Sequence, residues 1–447
     1  MDQFTFSSKY KTVLFGFMGL GVLCLAISFF ADAHEFHTRF WTNFLHNATF
    51  FTGIAFMGAF ILAAFTTALA GWHTLVKRIW EAYSMFLIPG LILMGIMVVA
   101  TVFHAHHVYH WTDSEAVAND PVLNGKSGFL NLGWYSIGTF VIMGIWVLFA
   151  WKMRQISLDE DVNGDASFDH HRRLRIWSAA FLPIAGFSSA AVIWQWIMSI
   201  DAHWYSTLFG WYVGASWFVA TMALTIIVIS FLKAQGYLEN VTQEHLHDLG
   251  KYLFAFSIFW TYLWFSQYML IWYANVGEET VYFQERMDNY SVLFYGNLLL
   301  NFIAPFFVLM RNDTKRKYGT MVFASIVVFF GHWWDFFQMI KPGARLTAIE
   351  AAAHHAGHGA EHGGEHAAGE HGAELAGHTE AVSHSLDFAM GYTLPGLLEI
   401  GIMLGFLAFF IYVVFNRLAK APLTPKNDPY LQEALHHHVE MHEEGAH

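Results

Sequence analysis

Ten apolar stretches, each about as long as the hydrocarbon core of a bilayer is thick, lie between residues 12 and 415, so lipid is the solvent for most of this chain. In lipid every backbone N–H and C=O must be paired within the segment, which makes each stretch a predicted α-helix. The expected spans are residues 12–31, 49–70, 83–103, 133–151, 176–200, 209–231, 252–272, 291–310, 319–339 and 394–415. A charged content of 13% against 55% hydrophobic and 18% aromatic residues excludes a water-soluble domain. The opening residues MDQFTFSSKYK lead into a full-length span without a convincing cleavage site, so the first helix is expected to be retained.

The single cysteine, Cys24, falls inside the first span. That rules out a disulfide framework, a thiolate set for an iron–sulfur cluster and a covalent haem. A bis-histidine haem would need axial ligands well inside the helices. His104, His106, His107 and His110 instead sit at or beyond the outer end of the third span, and only His332 stands opposite them on another helix. No resident cofactor and no metal site is therefore expected.

Lys and Arg partition sharply between alternate loops. The loops on the N-terminal side hold 18 of the 23 basic residues and the opposite loops hold Arg39, Lys126, Arg286, Lys341 and Arg345. The positive-inside rule places both termini in the cytoplasm and favours an even number of spans. The formal charge of −12 resides in loops and tail and gives no argument for a nucleic-acid partner. Between spans nine and ten, residues 348–385 form a low-complexity insert with eight histidines among Ala, Gly and Glu, from His354 to His384. It reads as a solvated loop, as does the tail around His436, His437 and His438.

An ionisable side chain at membrane depth is expensive, so those that persist mark function. The ninth span reads GHWWDFFQMI, placing His332 and Asp335 on one helix face with Gln338 on the same arc. The tenth span carries Glu399, and the two helices are expected to bring one His and two carboxylates together. The fifth span ends in Asp201 and His203 beside Trp204, and the seventh holds Gln267 and Tyr268 with Glu278 just past its outer end. Asp201, His203 and Glu278, with Asp335, His332 and Glu399, lie toward the outside and are candidates for a proton pathway. Trp204, Gln267, Tyr268 and His107 are candidates for a quinone slot, which needs aromatic walls and a proton carrier at each carbonyl. At the inner boundary Arg78 and Glu81 flank the third span, with His73 nearby; an ordinary salt bridge is the expected reading there, with an inner half-channel at Glu81 as the alternative.

The phrases SIDAHWYSTLFGWY and SQYMLIWYANVGEET, the N-terminal FTFSSKYK, and ten spans with both termini inside resemble the NrfD/PsrC-like membrane subunits of alternative complex III. The resemblance covers nearly the whole chain except the His-rich insert and tail, and it points to the second of the two related quinone-type subunits. It implies an all-α membrane protein of ten transmembrane helices: a peripheral first helix with its outer loop (1–48), two antiparallel four-helix bundles (49–205 and 206–342), the His-rich periplasmic loop (343–389), and a peripheral last helix with a cytoplasmic tail (390–447). It also implies a bacterial inner-membrane complex with a sister NrfD-like subunit, an iron–sulfur protein and haem c subunits. Such a complex oxidises a quinol of menaquinone or ubiquinone type and passes electrons to cytochrome c or a terminal oxidase. This chain would contribute proton conduction and assembly. A non-catalytic scaffold is the alternative, and a stand-alone transporter is disfavoured because Pro89, Pro183, Pro305 and Pro395 lack the paired placement of broken helices.

Overall fold

The computed structural model describes residues 3–32, 37–165, 167–361 and 395–438. Ten long helices organise them: α1 (Ser8–Phe30), α2 (Thr38–Thr67), α3 (Lys77–Val102), α4 (Leu132–Asn163), α5 (Asp169–Ile200), α6 (Leu208–Ala234), α7 (Gln243–Ala274), α8 (Ser291–Leu309), α9 (Tyr318–Glu361) and α10 (Leu397–Leu418). All but α7 are long and apolar enough to cross a membrane by length and composition. At 32 residues α7 is long enough as well, about 48 Å. Its Trp260, Tyr262, Trp264, Gln267 and Tyr268 lower its mean hydropathy. The only β-type pairing among the described residues is an isolated bridge between Gln3 and Pro422.

Helices α2–α5 pack as one antiparallel bundle and α6–α9 as a second. The two meet where α6 lies against α2 and α5, and α9 against α2. Accordingly α2 and α6 are almost enclosed, while α1 and α5 present most of their surface to the surroundings. Outside the bundles α1 and α10 pair with each other.

Association in lipid has no hydrophobic drive of its own and relies on close packing and polar contacts. The α1–α10 pair shows this directly. Gly401 and Gly405 form a GxxxG stripe on α10, and a Cβ added to Gly405 would lie 2.5 Å from the Cα of Gly21. At the bundle seam a Cβ on Gly53 would fall 1.9 Å from the Trp217 ring.

Both chain ends lie at one end of the molecule, where Gln3 donates to Ala419 O at 3.0 Å and Tyr10 to Gln235 at 2.8 Å. We call it the terminal end and its opposite the distal end. Distal connections are capped locally: Asp113 and Asp120 accept backbone N–H groups of the short helices Ser114–Asn119 and Pro121–Lys126, and Asn131 caps α4 through Trp134 N at 2.8 Å.

The helices outrun the apolar stretches. α2 begins at Thr38 rather than residue 49, α7 at Gln243 rather than 252, and α4 continues to Asn163. α9 runs through Pro342 to Glu361, so the chain expected to be loop from residue 348 starts as helix. The extensions carry polar side chains that pair inside the protein, which hydropathy reads as loop. Span eight is interrupted by a π-helical turn, Leu299–Ile303, just before Pro305. Of the His-rich insert, His362, His366, His371, His378 and His384 lie outside the described residues.

Candidate functional site

Asp335 occupies the interior of the second bundle at zero exposure. Four neutral donors from three helices converge on its carboxylate. From α6, Tyr212 donates to Oδ1 and Ser216 to Oδ2 at 3.1 Å; Trp260 of α7 donates to Oδ2 at 3.0 Å, and Asn297 of α8 to Oδ1 at 2.7 Å. Among the described residues no Lys or Arg pairs with it. Ser216 also lies 2.9 Å from His332 Nδ1, so one hydroxyl joins the carboxylate to the imidazole. With the Ser216 proton on Asp335, His332 must donate through Nδ1; with the carboxyl protonated, the hydroxyl bonds reverse. His332 Nε2 is buried without a hydrogen-bond partner. The arrangement can hold a proton in a dry site and shift it along a short relay.

The amides of α8 extend this cluster. Asn297 donates also to Gln338 Oε1 at 3.1 Å, and Asn301 donates to Asn297 Oδ1 at 2.6 Å and to Gly331 O at 2.9 Å. Asn301 sits in the π turn, a backbone irregularity found frequently at functional sites.

At the distal end a cavity of about 250 Å³ is lined by Asp201, His203, Trp204, His110, Glu278 and Tyr282, among others. Four expected residues, Asp201, His203, Glu278 and Trp204, are thus brought together. His203 pairs with Asp120, whose carboxyl burial pushes up but the His203 hydrogen bond and two backbone N–H groups hold below its ordinary value. Asp201 is paired at 2.9 Å with Arg286.

Glu399 does not join His332 and Asp335. α10 packs against α1, α2 and α3, and the carboxylate turns to α2. It accepts from Arg39 Nε at 3.0 Å and Nη2 at 3.3 Å, from Asn43 at 3.1 Å and from Gly396 N at 3.1 Å. Lys341 of α9 adds to its field and donates to Thr42 at 2.8 Å. The expected trio therefore divides into an Asp335–His332 cluster and a separate ion-paired one.

The expected bias of polar groups to the outer side is also corrected. At the terminal end Glu81 has zero exposure and binds Arg78 at 2.7 Å and Ser157 at 2.7 Å, with Arg154 at 3.6 Å. Arg78 continues to Asp161. This is a buried network inside α3 and α4 rather than a solvated helix-end pair. The neighbouring Trp80 donates to Thr225 of α6 at 3.0 Å.

The tail, expected to be solvated, is strapped across this end. Asp428 pairs with Lys77, Asn427 donates to Glu160 O at 3.1 Å, the Tyr430 ring lies 4.9 Å from His171, and His437 bonds Asp248 of α7 at 2.6 Å. Burial raises the Asp428 carboxyl, but Lys77 and the Tyr430 N–H outweigh it and hold it below 3.8. Burial lowers His73, beneath the strap, from 6.5 to about 4. A depressed carboxyl stabilises above its unfolded value and is lost as pH falls through the folded one; a depressed imidazole costs stability as pH falls from 6.5 toward 4. The strap is therefore expected to loosen on acidification in two stages, His73 first. Proteolysis of the tail against pH measures this, and Asp428→Asn should raise cleavage at pH 7 about tenfold, equivalent to roughly 1.4 kcal/mol of lost docking.

Three of the four quinone-slot candidates gather around Tyr282 and Phe283. Trp204 lines the distal pocket, Gln267 a gap of about 10 Å³ deeper in, and Tyr268 packs on Phe283 at 5.3 Å. His107 lines neither cavity. Of the other boundary histidines, His106 is buried 5.2 Å from Trp41, and His110 lies 6.1 Å from His203. They share no common axis. Sequence reasoning missed Tyr212, Ser216, Trp260, Asn297 and Arg286. The pair Asn297 and Asn301, one turn apart in an otherwise apolar span, was the available signal. No protein-family model matches the chain, and no curated protein matches it.

Proposed function

We propose that this chain is an integral subunit of a respiratory quinol oxidoreductase of the alternative complex III type, and that it carries protons through its second bundle while partner subunits oxidise the quinol. The observation that supports this most is Asp335: a fully buried carboxylate held by four neutral donors, joined to His332 through Ser216 and to Gln338 through Asn297. A carboxylate serving only as glue would be expected to face a cation, as Glu399 and Glu81 do.

Three of the quinone candidates, Trp204, Gln267 and Tyr268, lie around the Tyr282–Phe283 pair, and no step of quinol chemistry is placed on them. Iron–sulfur and haem c subunits, a sister subunit, and cytochrome c or a terminal oxidase belong to this reading as partners. A bacterial inner membrane with the terminal end in the cytoplasm belongs to it too, supported by the 18 basic residues of that side. Cytoplasmic input would pass near Glu81 and release would occur at Asp201 and His203.

The deciding experiment is quinol:cytochrome c turnover with simultaneous proton release, in liposomes, for the intact complex carrying Asp335→Asn. The expected result is preserved electron transfer with proton coupling reduced at least tenfold. Unchanged coupling would sink the proton reading. It would leave a docking scaffold, which the fully compensated Glu399 and Glu81 ion pairs favour.

A further inference from the structure

Between the distal pocket and the Asp335 cluster stands one guanidinium. Arg286, on the short helix Gly277–Asp288, is 1% exposed, and four of its five N–H groups are bonded. Nη2 bonds Asp201 Oδ2 at 2.9 Å and Met339 O at 3.3 Å, Nη1 bonds Tyr282 O at 2.9 Å, and Nε bonds Gln338 O at 3.2 Å. The guanidinium lies 3.4 Å over the Tyr282 ring, which stacks on Trp204 at 3.9 Å. On one side of this layer is the cavity of about 250 Å³. On the other is the gap of about 10 Å³ lined by Tyr212, Gln267 and Gln338, room for roughly one water.

Two consecutive residues of α9, Pro342 and Gly343, build the seat. Pro342 has no N–H, so the carbonyl of Gln338, four residues back, lacks its helical donor, and Arg286 supplies one. Gly343 makes room: a Cβ there would lie 2.6 Å from the Asp201 carboxylate. Lys341 points away, to Thr42 of α2. A proline that opens an acceptor, followed by a glycine that opens a notch, suits one guanidinium–carboxylate pair at this height of the helix.

We propose that the Asp201–Arg286 pair, seated at Pro342 and Gly343, is a latch that closes the distal pocket against the Asp335 cluster, and that protons cross only when the pair parts. A proton taken by Asp201 Oδ2 from pocket water removes the charge that holds Arg286, while the guanidinium keeps its own. Facing Asp201 are Arg286 and Tyr282 from the short helix, Gly343 from α9, and His203, His110 and Glu278 around the cavity. The latch deepens the reading of Asp335 as a proton carrier, but its closure is measurable without turnover.

Because Cys24 is the single cysteine, Cys24→Ser gives a background for reporters. In the intact complex, Gln267→Cys places a thiol beyond the latch and Val281→Cys one on the pocket side, where Val281 is 48% exposed. The probe is a charged, membrane-impermeant methanethiosulfonate. Val281→Cys should react at one rate throughout, which also reports folding. Gln267→Cys should resist, and react at least tenfold faster once Asp201→Asn or Arg286→Gln is added. Asp201→Asn keeps the shape that fills the notch, so the test survives if Arg286→Gln fails to assemble. Equal labelling of Gln267→Cys with and without the pair, whether fast or slow, overturns the latch. Gated labelling together with unchanged proton coupling in Asp335→Asn would keep the latch and remove the proton reading.

Discussion

Glu399→Ala is expected to destabilise the distal half of the protein by about 3–5 kcal/mol, the cost of removing one partner from a buried ion pair. Glu399 is 1% exposed and takes four hydrogen bonds, two of them from Arg39. Its loss leaves the Arg39 guanidinium and the fully buried Lys341 ammonium without their shared Glu399 carboxylate, with Asp32, which accepts Arg39 N at 2.8 Å, as the nearby anion that remains. Glu399→Gln keeps the shape and most hydrogen bonds and should fall between. The double variant Glu399→Leu with Arg39→Leu removes both charges and should recover part of the loss. Thermal unfolding of the detergent-solubilised complex reads all three. A Glu399→Ala protein that melts with the wild type would mean that the charges are hydrated in the folded state. Asp335→Asn should cost far less, because no cation is left behind.

Gly405→Leu is expected to peel α1 from α10. The stripe brings backbone to backbone at Gly21 and Gly405, so a side chain there has no flexible neighbour to push aside. Overpacking of this kind costs typically 1–3 kcal/mol. α1 has little else to hold it, since most of its surface faces outward and α10 is its main neighbour. Cys24 supplies the readout. Its Sγ lies 2.5 Å from where a Cβ of Gly401 would sit, and the residue is 7% exposed. A membrane-permeant maleimide should label Cys24 at least tenfold faster in Gly405→Leu than in the wild type. Unchanged labelling would show that α1 is held elsewhere.

The helices and their order were legible because burial in lipid imposes a long apolar run on all but α7, which is less apolar. Their ends were not, for one physical reason: polar residues at helix ends read as loop unless their partners are known. α2 is the clearest case. Hydropathy starts it at residue 49, yet Arg39, Thr42, Asn43 and His46 are already helical and hold Glu399, Lys341 and Trp333 O. The same blindness counted Lys77, Arg78 and Arg154 as loop cations, whereas they are paired inside.

In the site, Asp335 and His332 stood out because charge at depth is costly, and the pocket residues because they bracket helix ends. Tyr212, Ser216 and Trp260 gave no such signal, since a neutral donor in a span costs little until its target is known. Glu399 was assigned to the wrong neighbours because chain adjacency of α9 and α10 says nothing about which face α10 presents.

The pairing of α1 with α10 has a consequence for how the protein is made. Among the described helices, α1 precedes both bundles in the chain and finds its principal partner in α10, which follows both. Until α10 is made, the Gly21 face of α1 lacks its partner, and the strap that locks the terminal end, which follows α10 in the chain, is not yet made either. A chain arrested before α10 would thus hold two finished bundles with a loose leading helix and an unsealed base. Surveillance by membrane proteases has a distinct feature to recognise in such a chain, and completion of the last span removes it.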